Sequence, residues 1–175
     1  MRAPLCESYR CRPILLRRFA DQVKAVRCDS CSSSDEKTER GRMGDFPVFV
    51  MDTSALLTLR DNESGSGEVE ELLRAAARRE CAVQVSFISR MELLYILWRE
   101  EGEAAARHAL RLVDAFSIEW VSCDPEILDT AARLKAGGKV SLADSWIAAT
   151  AIVHAATLVH KDPELDSVTV PQKRL

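Results

Sequence analysis

The chain has 175 residues, enough for one domain with a real core, and 47% hydrophobic and 29% charged residues, the balance of a soluble globular fold. No run reaches the roughly 18 apolar residues a membrane-spanning helix needs, and "PILLRRFA" is broken by arginines where a secretory leader would continue; neither is expected, and a cytoplasmic location is. Net charge is −3 but uneven: residues 1–42 hold 10 Lys/Arg against 6 Asp/Glu, and the remainder holds 14 against 21. An acidic domain repels nucleic acid unless cations offset the charge.

Residues 1–42 read as a low-order extension ahead of a domain over residues 46–170, with Met43 a plausible start of translation. Cys6, Cys11, Cys28 and Cys31 lie in this extension as C-x4-C…C-x2-C, a spacing that could hold zinc. The surrounding polar run "DSCSSSDEKTERGR" favours an appendage over a zinc domain.

From Phe46 the chain alternates strand and helix signals. "FPVFVM" is the continuous apolar run of a strand buried on both faces. "SALLTLR" predicts a short helix, and "EVEELLRAAARRE" a second one, capped by Ser66 or Gly67. "AVQVSFI" (82–88) predicts the second strand. Ser89 is then expected to cap "RMELLYILWREE", with Glu92 at capping-box spacing and Gly102 as the stop.

"EAAARHALRLVDAF" predicts a helix and "SIEWVS" a strand. Asp124-Pro125 opens a helix that Gly137-Gly138 closes. "SLADSWIAATAIVHAA" predicts a late helix rich in small residues, "TLVH" a fourth strand, and "VTV" an edge strand before Pro171. The alternation predicts an α/β fold, a mostly parallel central sheet of four to five strands flanked by helices.

Four acids fall at equivalent places. Asp52 ends the first strand, Glu92 and Asp144 lie in first turns of helices, and Asp162 follows the fourth strand. The carboxyl ends of strands share one edge of such a sheet, so the four carboxylates could converge there. Like charges at close range raise one another's pKa, and a divalent cation removes that cost. Oxygen-only ligation suits Mg²⁺ or Mn²⁺, which can activate a water for attack on a phosphodiester. Taken singly, each acid also has a structural reading: Asp52 as a helix cap, Glu92 as a capping-box partner, Asp144 as a dipole complement, Asp162 as a turn former.

"VMDTSALL", "SRMELLY", "SLADSWIAATA" and "LVHKDPEL", in that order, resemble the successive motifs of the PIN domain, and among its members the VapC-type toxin ribonucleases. The resemblance implies a three-layer PIN-like fold and Mg²⁺- or Mn²⁺-dependent RNA cleavage. It assigns Asp52, Glu92, Asp144 and Asp162 as catalytic metal ligands and Ser54 as their hydrogen-bonding support. It also implies three partners: an RNA substrate, a VapB-like antitoxin and a second copy of the chain.

One departure is His160, where the family often carries Thr or Ser; it could coordinate metal, bind phosphate or simply end the strand. Arg90, Lys161 and Lys139 flank the acids and are candidates for phosphate contact. A PIN-like RNA- or protein-binding module without catalysis is the alternative, and its mark would be loss of an acid. A dehalogenase-like phosphatase would need a second aspartate where Ser54 stands.

Overall fold

The computed structural model describes residues 46–138 and 140–175; the extension over 1–42, its four cysteines and Lys139 lie outside the described residues. Five short strands form one sheet: β1 (Val48–Met51), β2 (Ala82–Ser86), β3 (Ile118–Val121), β4 (Thr157–His160) and β5 (Gln172–Arg174). Their order is β3-β2-β1-β4-β5, and every pairing is parallel. β1 is the central strand, which explains its unbroken apolar sequence: both faces are covered.

Alternation along the strands divides the core. Met51, Val83, Val85 and Val159 enter one cluster with α1 (Thr53–Asp61), α2 (Ser66–Ala77), α3 (Phe87–Glu101) and α4 (Glu103–Val113). Val50 and Leu158 point the other way, onto Ile147, Ala148 and Ala151 of α6 (Leu142–Val153). Ala149 on the outer side of α6 meets Ile127 and Ala131 of α5 (Pro125–Ala136). The alanines of α6 let it lie close on the sheet, and the result is the expected three-layer α/β/α architecture. Among the described residues no helix is long and apolar enough to cross a membrane.

Several boundaries follow expectation. Asp124 accepts from the Ile127 N–H at 2.8 Å with Pro125 at the first helical position, and Gly102 stops α3 with φ +91°. Three differ. α2 is capped by Gly65 in the left-handed region, φ +95°, not by Ser66 or Gly67. β2 ends at Ser86 instead of Ile88, because Phe87 already turns into α3 and packs edge-on against Trp146 of α6, ring centres 5.3 Å apart. Ser89 therefore lies inside the first turn, and the Ser89–Glu92 capping box does not form.

The edge strand is the polar segment Gln172–Arg174, not "VTV". Val168 is buried in the second core cluster, a demand for burial that overrides its β propensity. β5 instead owes its place to backbone hydrogen bonding along β4, continued by the Leu175 N–H to the His160 carbonyl at 2.9 Å.

Candidate active site

The carboxyl ends of β2, β1 and β4 lie side by side, and alternation sets which way their last side chains point. Asp52 follows Met51 and so faces α6, as Val50 does. The register Met51↔Val85 and Met51↔Val159 puts Ser86 on one side of Asp52 and His160 on the other. The loop-to-helix turn after β1 fixes the acid itself. Asp52 caps α1, its Oδ1 accepting from the Thr53 N–H at 2.6 Å and its Oδ2 from the Ser54 N–H at 3.1 Å and from the Ser54 hydroxyl. Ser54 Oγ in turn accepts from the Lys161 N–H at 3.0 Å, tying the tip of β1 to the tip of β4. Ser54 thus bonds both the Asp52 carboxylate and the backbone at the end of β4.

Asp52 is 4% exposed. Burial pushes its carboxyl above the usual range, the bonds from Ser54 and Thr53 oppose that, and the charge of Asp144 adds to it. Glu92, half-buried on α3, accepts from the Thr53 hydroxyl at 2.7 Å through Oε2. Its carboxyl is also raised, first by burial and then by the charges of Asp52 and Asp144, against the lowering effect of Thr53. Asp144 is 9% exposed in the first turn of α6, where its N–H donates to the capping hydroxyl of Ser141 at 3.1 Å. Asp52 from the start of α1, Asp144 from the first turn of α6 and Glu92 from α3 therefore share one electrostatic neighbourhood, and none forms an ion pair with a described residue. Glu92 stands in the second turn of α3, not the first turn expected of it, because the helix already begins at Phe87.

Asp162 lies at the same sheet edge, two residues beyond β4. Its Oδ1 accepts from the Glu164 N–H at 2.8 Å, capping the 3₁₀ turn Pro163–Ser167. Its charge is absent from the causes acting on Asp52 and Glu92. His160 is fully buried: its Nδ1 donates to the Asp162 carbonyl at 2.8 Å and its Nε2 faces Gln172 Oε1 at 3.1 Å. It holds the backbone of Asp162 and has no face left for phosphate or metal.

The two described basic residues expected near phosphate are both engaged. Arg90 grips Asp114 through two bonds of 2.6 and 2.9 Å and lies 4.7 Å from the Trp120 ring centre, holding the Asp114 carboxyl below its usual range. Lys161 Nζ donates to Glu63 at 2.6 Å. The Lys161 pair is solvent-exposed and weakly bound, so it could open to a phosphate. Arg90 is the more firmly held.

Among the described residues no group of three or more His, Cys, Asp or Glu is drawn together as a preformed ligand cage. The donor set nevertheless suits a hard divalent cation: all oxygen, buried or half-buried, of like charge and without basic partners among the described residues. Mg²⁺ is commonly held by one or two carboxylates plus waters and substrate phosphate, so a complete protein cage is not required. Sequence reasoning missed Thr53 and Ser141. Each is a hydroxyl beside an assigned acid, but Thr53 acts across 39 residues, a link that only the fold discloses.

The PIN domain family model matches residues 49–171, and the chain belongs to the PIN domain family. No curated protein matches the sequence. Similar solved structures include VapBC2 from Rickettsia felis bound to a promoter DNA fragment, at 16% identity and TM-score 0.62, covering 73% of this chain and 98% of that one. DNA-bound VapBC from Salmonella typhimurium is 18% identical with TM-score 0.60, covering 74% and 98%. VapC20 from Mycobacterium tuberculosis, described as a sarcin–ricin loop cleaving toxin, is 15% identical with TM-score 0.57, covering 73% and 99%. At these identities the likeness shows a shared fold.

Proposed function

We propose that the chain is a divalent-metal-dependent endoribonuclease, the toxin of a toxin–antitoxin pair, with its nuclease unit over residues 46–170 and the 1–42 segment as an extension. The observation that carries this reading is the trio Asp52, Glu92 and Asp144: buried or half-buried carboxylates in which the charge of Asp144 helps to raise the proton affinity of Asp52 and Glu92, with no cation of the described residues paired to them. Such an arrangement is costly for folding and makes sense as a cation site. The VapBC complexes among the similar folds support a VapB-like antitoxin as partner, and the sarcin–ricin loop cleaving toxin among them supports the substrate class.

Asp52, Glu92 and Asp144 would hold Mg²⁺ or Mn²⁺, with Asp162 contributing from the end of β4. Such an ion supplies Lewis-acid stabilisation of phosphoryl oxygens and a more acidic water. The chain's own groups then divide the work. Thr53 and Ser54 fix the Asp52 carboxylate so that its geometry is set before substrate arrives. Thr53 also donates to Glu92 Oε2, which leaves Oε1 free to face the cation. Lys161, released from Glu63, would meet a phosphate oxygen. The loss of an acid that would mark a binding module without catalysis is not seen.

The test is cleavage of total RNA with Mg²⁺ or Mn²⁺, beside an EDTA control and Asp52→Asn. The expected outcome is a loss of at least about 100-fold in both controls, with a cooperative thermal transition retained by the variant. Undiminished cleavage by Asp52→Asn would overturn the assignment.

A further inference from the structure

Ser86 and Ser89 are both fully buried, and neither hydroxyl has a hydrogen-bond partner. Buried hydroxyls almost always find partners, and both of these decline ordinary ones. Ser86 is the N-cap of α3, yet its side chain makes no cap bond, whereas Asp52, Asp124, Ser141 and Asp162 all bond the helix starts they cap. Ser89 does not return to the carbonyl of the preceding turn, as Ser145 does to Leu142 at 2.6 Å and Thr150 to Trp146 at 2.8 Å.

Their place in the fold gives the reason. Ser86 stands in register beside Asp52 and shares its face, toward α6 and Asp144. Ser89 precedes Glu92 by three residues, which puts the two on neighbouring positions of the α3 surface. Two enclosed, unpartnered hydroxyls therefore lie on the β2 side of the sheet edge that carries the three carboxylates, while His160 occupies the β4 side.

We propose that Ser86 and Ser89 form a water-binding subsite of the cation site: they take up ordered water from the hydration shell of a divalent cation and hold the acid cluster around it. The inference rests on the metal-site reading above. Serine suits the role because one hydroxyl both donates and accepts, so it can bridge water to a carboxylate. The two are positioning residues that touch neither substrate nor reacting atoms.

The test uses the full chain and Mn²⁺ binding followed by calorimetry, with thermal unfolding in EDTA measured in parallel. Ser86→Ala, Ser89→Ala and the double variant should weaken Mn²⁺ affinity by about 10-fold or more, the scale of losing an outer-shell partner. Their unfolding temperatures in EDTA should be equal to or above that of the parent, since no protein hydrogen bond is lost. Ser145→Ala, a buried serine beside Asp144 with a local partner, should leave Mn²⁺ affinity unchanged.

Mn²⁺ affinity unaltered in the double variant would overturn the proposal and leave the metal site standing. So would a weakening matched by a lowered unfolding temperature in EDTA, which marks a purely structural role. A parent chain that binds no Mn²⁺ would overturn the metal-site reading itself, and this inference with it.

Discussion

At the residue scale, Asp52 joins two functions that compete in most proteins. Its carboxylate satisfies the first N–H groups of α1, which favours ionisation, while burial and Asp144 oppose ionisation more strongly. Glu92 is in the same position, with Thr53 as its one hydrogen-bond donor among the described residues. For both acids the folded pKa is raised, so the native state holds protons at a pH where the unfolded chain has released them. Stability then falls as pH rises from the ordinary carboxylate range through the raised values. In EDTA the unfolding temperature should accordingly decline over that window, and Glu92→Gln should flatten the decline and raise the plateau by about 2–5 °C. A profile for Glu92→Gln parallel to that of the parent would show that this carboxylate is not the source. That Asp52 and Asp144 share an edge was legible in the sequence because strand ends and helix starts meet at one edge in any parallel α/β sheet, whereas the place of Glu92, one turn further into α3 than expected, was not. The grip of Thr53 on Glu92 and the pairing of Arg90 with Asp114 were not, since both join segments brought together only by packing.

At the element scale, the chain positions its site by where helices begin. The periodic segment of α5 was readable in type and extent, because an amphipathic stripe, the Asp124-Pro125 start and the Gly137 end act locally. Ends set by tertiary contacts were not. Phe87 carries β propensity, yet it starts α3 because its ring meets Trp146. Gly65 belongs to the same class: its positive φ starts α2, and a Cβ there would stand 2.8 Å from the Leu175 Cβ. Leu175 packs on the larger core cluster, so the last residue of the chain covers the start of α2. Gly65→Ala combines a disfavoured backbone with this clash and should cost about 1–3 kcal/mol in denaturant unfolding. Gly67→Ala meets open space at an ordinary φ, and should be neutral or slightly stabilising in the same assay. Equal stability of the two variants would refute the role given to the Gly65 turn.

At the scale of the whole molecule, α3 has a second apolar face. Leu93 and Leu97 are buried in the core, while Met91, Tyr95 and Trp98 recur at helical spacing with exposures of 51%, 46% and 42%. This is the outer side of "MELLYILW", whose apolar character on more than one face was visible in the sequence; what covers it was not. The aromatic and methionine content fits the core of a protein interface, and Arg107, 5.4 Å from the Trp98 ring centre, fits its rim. A second copy of the chain is the occupant we expect, and charge sets a condition on it. Residues 43–175 hold 14 Lys/Arg against 21 Asp/Glu, so two such domains repel and apolar burial has to outweigh the repulsion. Screening by salt should then tighten the association, the reverse of an interface built on ion pairs. Light scattering of the full chain should give twice the 19.5 kDa chain mass, with a dissociation constant that falls as salt rises from 50 to 500 mM, values chosen to shorten the screening length to about a third. Tyr95→Glu with Trp98→Glu should weaken the dimer by about 100-fold or more, the effect of losing two aromatic anchors, while leaving the thermal transition of the monomer in place. A double variant that keeps the parent's mass and salt response would show that the copies meet through another face, and that the α3 stripe serves a different partner.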